Sequence, residues 1–129
     1  MTRAALLAAA ALALAGAATG AAQQMSHTQA AAPKRCASPP EPSSTLKVAR
    51  GPGVRVQGVD CATGRRVARA YVVECRDELL YEADCVLVVN ERSWRCGIRV
   101  TGAFGDYSRI SCRAKIGREV RFDVFFQYT

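Results

Sequence analysis

Trp94-Arg95-Cys96-Gly97-Ile98-Arg99-Val100-Thr101 alternates apolar residues with polar or small ones for eight positions. Ile110-Ser111-Cys112-Arg113-Ala114-Lys115-Ile116 repeats the pattern for seven. Val120-Arg121-Phe122-Asp123-Val124 carries it on to Phe126 and Tyr128, and Val54-Arg55-Val56-Gln57 is a shorter instance upstream. A period of two sends successive side chains to opposite faces, so each run predicts a strand with one buried and one wet face. Two shorter Val-rich runs, residues 70–75 and Cys85–Val89, predict interior strands. Residues 77–83 suit one or two helical turns, because Glu78, Leu79, Leu80 and Glu82 favour a helix. Ala62-Thr63-Gly64, Asn90-Glu91-Arg92, residues 102–106 and Gly117-Arg118 carry turn residues between the runs. The predicted fold is all-β: a small disulfide-stabilised antiparallel β-sandwich or barrel of about six strands.

The 129 residues allow one small domain. Met1-Thr2-Arg3, an Ala/Leu run over residues 4–15 and small residues to Ala22 form a basic start, a short apolar core and a small-residue exit. That order predicts a secretory signal peptide over residues 1–22, because a bilayer-spanning helix needs about 20 apolar residues. Cleavage after Ala22 removes one Arg and takes the formal charge from +7 to +6. Residues 23–52 hold all five prolines and no aromatic, which predicts a flexible Pro/Ala-rich arm. Cys36 is a candidate anchor for this arm, and Leu46-Lys47-Val48 a candidate edge strand. Residues 53–129 hold all nine aromatics and no proline, and form the predicted β domain.

Six cysteines remain after cleavage: Cys36, Cys61, Cys75, Cys85, Cys96 and Cys112. An even number in a short exported chain predicts a disulfide framework, with the protein outside the cell or in a bacterial periplasm. The gaps of 24, 13, 9, 10 and 15 residues contain no Cys-x-x-Cys pair, which argues against a metal site. Fifteen pairings are open. Cys96 and Cys112 share the phase of Trp94, Ile98 and Ile110, so both belong on the inner face.

The single histidine, His27, falls in the arm, and the body has no imidazole for acid–base work near neutral pH. No Gly-rich phosphate loop precedes a helix. No cofactor is expected. Asp77, Glu78, Glu82 and Asp84 cluster in sequence, and a pair of carboxylates could serve a secreted hydrolase. Nothing in their spacing orients them as acid and base, so no catalytic residue is assigned.

The polar phase of the strands is cationic. Arg55, Arg95, Arg99, Arg109, Arg113, Lys115 and Arg121 fall on predicted outward positions and are candidate anion-binding residues. A guanidinium meets carboxylate, sulfate or phosphate with paired hydrogen bonds. The competing reading is a solvated face: the body carries 13 basic and 10 acidic residues, and Glu74, Glu119 and Asp123 could neutralise several arginines. Nucleic acid is disfavoured, since most aromatics lie in the inner phase and cannot stack on bases.

Val56-Gln57-Gly58-Val59-Asp60-Cys61, followed by Ala70-Tyr71-Val72-Val73-Glu74-Cys75, resembles the opening of the plant pollen Ole e 1-like family. Cys85-Val86-Leu87-Val88-Val89, leading to Cys96, resembles a cysteine strand of the related phylloplanins. The resemblance implies a secreted, prealbumin-like β-sandwich with disulfides and an extracellular or defence role. Taken together, the residues predict a secreted non-enzymatic binding module. Its partner would be an extracellular protein or an acidic polysaccharide. A cationic antimicrobial protein attaching to anionic lipid is the first alternative, and a carboxylate-dependent hydrolase the second.

Overall fold

The computed structural model describes residues 32–41 and 45–127. The expected signal peptide, the start at Gln23, His27 and Tyr128 lie outside the described residues.

Seven strands form one antiparallel sheet. They are β1 (Lys34–Cys36), β2 (Leu46–Val48), β3 (Val54–Gln57), β4 (Cys85–Val89), β5 (Arg92–Thr101), β6 (Ser108–Ala114) and β7 (Arg118–Phe126). The order across the sheet is β1-β3-β7-β6-β5-β4, and β2 pairs with the last residues of β7. The antiparallel, disulfide-stabilised β fold read from the alternation is therefore present. The segment expected to be an arm contributes β1 and β2 to the same sheet. The Cys36 disulfide and the fully buried Leu46 hold it there.

The inner face is apolar throughout. Val54, Val56, Leu87, Trp94, Ile110, Val120 and Phe122 are all buried. Its cover is a helix, α1 (Cys61–Glu74), followed by one short helical piece, α2 (Arg76–Leu80). The expected strand at 70–75 and the expected turn at 62–64 are thus corrected: residues 62–64 and 70–74 lie in α1, and Cys75 caps it. Asp60 starts α1, its carboxylate accepting the Thr63 N–H at 2.9 Å, a side-chain cap on an otherwise unpaired donor. Gly64, Val67, Ala68, Tyr71 and Val72 are buried at helical spacing, one stripe facing the sheet. Tyr71 meets Phe122 edge to face, with ring centroids 5.5 Å apart. Gly64 is a contact and not a turn: a Cβ there would lie 2.2 Å from Val56 Cγ1. The expected helical turns at 77–83 appear as α2, ending at Leu80.

Sulfur fixes this helix to both sheet edges. Cys36–Cys61 joins β1 to the start of α1, and Cys75–Cys85 joins its end to β4. The 14 residues of α1 span about 21 Å at the usual helical rise. Five strand spacings from β1 to β4 span about 24 Å. The helix together with its two bridges, whose Cα atoms stand 5.5 and 5.9 Å apart, therefore reaches across the sheet from edge to edge. Cys96–Cys112 is a directly opposed cross-strand pair between β5 and β6, on the inner face as expected. Among the described residues no cysteine is free and no helix is long and apolar enough to cross a membrane.

A candidate anion-binding face

The face of the sheet away from α1 carries the polar phase of the strands, and register decides which of its side chains meet. One row runs Arg35, Arg55, Arg121, Ser111, Gly97 across β1, β3, β7, β6 and β5, each directly opposite the next. The adjacent row runs Gln57, Glu119, Arg113, Arg95, Val86. On the other side of the first row, Asp123 faces Arg109. Three arginine pairs therefore sit opposite one another: Arg35 with Arg55, Arg55 with Arg121, and Arg95 with Arg113.

Two carboxylates partly offset this charge. Asp123, only 5% exposed, binds Arg109 through contacts of 2.9 and 3.3 Å. That hydrogen bond and the charge behind it raise the Arg109 pKa above its ordinary value, so this guanidinium is already engaged. Glu119 accepts from Arg121 and, at 2.8 Å, from the Ser111 hydroxyl, while Arg113 stands 3.9 Å away. Burial pushes the Glu119 carboxyl up, but those two hydrogen bonds and the arginine charges outweigh it. The net shift is below the ordinary value. Arg35 donates to the Gly51 carbonyl. The side chains of Arg95 and Arg99 have no hydrogen bond or ion pair among the described residues, and Arg55 Nε is buried without a partner.

Two hollows open on this face. One, of about 140 Å³, is lined by Pro33, Arg55, Val56, Gln57, Glu119 and Arg121. The other, of about 260 Å³, is centred on Gly97 and lined by Asp84, Arg95, Ile98, Arg99, Ser111 and Arg113. The β5 register shifts between Ile98 and Val100, and such bulges re-aim side chains. Arg99 sits at this irregularity.

Of the seven residues singled out from sequence, Arg55, Arg95, Arg109, Arg113 and Arg121 share the outer face, and Arg99 joins them at the bulge. Lys115 does not. Strand β6 ends at Ala114, and Lys115 begins a turn whose Ile116 and Gly117 take positive φ, so the alternation ends one residue before it. Arg35 was missed, because its place depends on long-range pairing of a three-residue strand. Arg65, Arg66 and Arg69 were missed too. With Pro39, Pro40 and Ala62 they line a hollow of about 200 Å³ on the exposed side of α1. Their spacing was a usable signal, once residues 61–74 are seen as helical.

The four clustered carboxylates disperse. Asp77 and Glu78 lie on α2, and Asp84 lines the Gly97 hollow. Glu82 shares a fourth hollow, of about 190 Å³, with Asp106, Tyr107 and the apolar Leu79, Leu80 and Phe126. Among the described residues no three His, Cys, Asp or Glu side chains are grouped to hold a metal ion.

No family model, curated protein or solved structure matches the chain significantly.

Proposed function

We propose that this protein is a non-enzymatic, disulfide-stapled binding module of an oxidising extracytoplasmic space, and that the outer sheet face holds an acidic polysaccharide. The observation that carries the reading is the set of opposed arginines. Like charges directly across an antiparallel pair destabilise the sheet. A face selected only for solubility would alternate signs. Here Arg35, Arg55 and Arg121 repeat at roughly the 4.8 Å strand spacing. That is a linear ladder of donors suited to a polymer with an oxyanion on each unit.

Three bridges consume every cysteine, so no thiol nucleophile is left. Disulfides of this kind persist in oxidising compartments, which supports export. The second motif resembling the Ole e 1-like family, residues 70–75, lies in α1 and its cap. The reading therefore rests on the sheet face alone.

The test is retention of the oxidised protein on immobilised polygalacturonate and on heparin across a salt series. Retention should fall steeply with salt, as counterion exchange requires. Arg55→Glu with Arg121→Glu should abolish it. A double variant retained as strongly as the parent would refute the reading, as would stronger attachment to anionic vesicles than to either polymer.

A further inference from the structure

The Gly97 hollow differs from the rest of the outer face in shape as well as charge, and glycine is its cause. Gly97 faces Ser111 across the β5–β6 pair, and its φ is not in the left-handed region. Backbone freedom therefore does not explain the glycine, whereas space does. The bare Cα forms part of the floor of a hollow of about 260 Å³ that Arg95, Arg99 and Arg113 also line. Arg95 opposes Arg113 with only Glu119 nearby, and Glu119 is already bound to Arg121 and Ser111. Arg99, brought to the rim at the bulge, adds a third guanidinium, and like Arg95 its side chain has no ion-pair partner among the described residues. One acidic group reaches in: Asp84 Oδ1 lies 2.8 Å from where a Gly97 Cβ would stand. Among the described residues no ion pair links Asp84 to these arginines.

From this arrangement we infer that the Gly97 hollow is a discrete site for one oxyanion group (carboxylate, sulfate or phosphate) and that Asp84 is a tethered competitor reaching over Gly97. The inference rests on the anion-binding reading of the face and narrows it to one subsite. A bound oxyanion accepts from the forks of Arg95 and Arg99 and relieves the Arg95–Arg113 repulsion. The Asp84 carboxylate opposes the same oxyanion by like charge, which lowers affinity and selects for ligands that displace it.

The experiment is a titration of the intact, disulfide-bonded protein with inorganic sulfate, inorganic phosphate and glucuronate, followed by backbone amide NMR. The largest shifts should fall at Arg95, Gly97, Arg99 and Ser111, and the tightest of the three probes identifies the group. Gly97→Val fills the hollow without changing charge, and should weaken small-anion binding at least tenfold while column retention on heparin falls little. Asp84→Asn, at an exposed position, should raise affinity several-fold. Shifts spread evenly over Arg55, Arg121 and Arg95, or affinities unmoved by both variants, would overturn the site. Loss of this site with heparin retention intact leaves the reading of the face standing; loss of both removes that as well.

Discussion

One sheet presents two faces built from the same alternating strands, and they obey different rules. On the inner face the apolar packing is closed, although Trp94 Nε1 is buried there without a hydrogen-bond partner. Val56 fills the space that Gly64 leaves, Phe122 meets Tyr71, and three cystines tie helix to edges and strand to strand. On the outer face contacts stay open: the side chains of Arg95 and Arg99 lack partners among the described residues, and the space at Gly97 is bounded mainly by charged side chains. A glycine does opposite work on each face. Gly64 lets a helix approach a sheet, and Gly97 leaves a hollow. The contrast teaches that close packing and sulfur bridges explain the inner face and leave the outer arginine pairs unexplained.

The sharpest break of this comparison is reduction. Loop closure over separations of 25, 10 and 16 residues amounts to on the order of 9 kcal/mol for the three bridges. That is comparable with the whole stability of a small domain, about 5–15 kcal/mol. Circular dichroism under dithiothreitol should show an unfolded chain, and a native spectrum would contradict the inner-face account.

Next come substitutions that separate the two glycines. Gly64→Ala forces a Cβ against Val56 and should cost about 1–3 kcal/mol in urea unfolding. Gly97→Ala meets only the movable end of Asp84, and should be neutral or stabilising by about 0.5 kcal/mol, since glycine weakens strand interiors. Equal costs at the two positions would erase the distinction.

A smaller effect has the opposite sign. Arg55→Gln removes one member of two like-charge pairs, and should stabilise the fold by about 0.2–1 kcal/mol while weakening polyanion binding. Destabilisation would mean that the arginines are structural.

The smallest effect concerns acid. Glu119 and Asp60 both have carboxyls held below their ordinary values of 4.5 and 3.8. For Asp60 the largest cause is the hydrogen bond with Thr63. A lowered folded-state value favours folding above the ordinary value, and this contribution is lost as pH falls through the depressed one. Urea midpoints should be flat from neutral pH down to about 5 and decline below about 4, less steeply in Glu119→Gln.

The strands were legible because period two is a strong local signal. Trp94–Val100 and Ile110–Ala114 lie on β5 and β6 as read, and the shared phase of Cys96 and Cys112 placed both residues on the inner face, though not their pairing. The helix was hidden by composition: Tyr71, Val72 and Val73 favour strands, and Ala62-Thr63-Gly64 looks like a turn. The recurrence of Gly64, Val67, Ala68, Tyr71 and Val72 after a capping Asp60 was the countersign. The pairings Cys36–Cys61 and Cys75–Cys85 depend on where α1 crosses the sheet, which no local pattern encodes. The same holds for the row that brings Arg35 to Arg55 and Arg121. Lys115 shows the limit from the other side, since alternation in sequence ran past the end of the strand that produced it.

The most direct measurement compares two charge reversals of equal size in heparin and polygalacturonate affinity at fixed salt. Arg55→Glu with Arg121→Glu alters the outer face, and Arg65→Glu with Arg69→Glu alters the exposed side of α1. Binding by the outer face requires loss of at least tenfold in the first variant and a change under threefold in the second. Equal losses in both would show attraction by net charge alone, and would contradict the assignment of function to the sheet face.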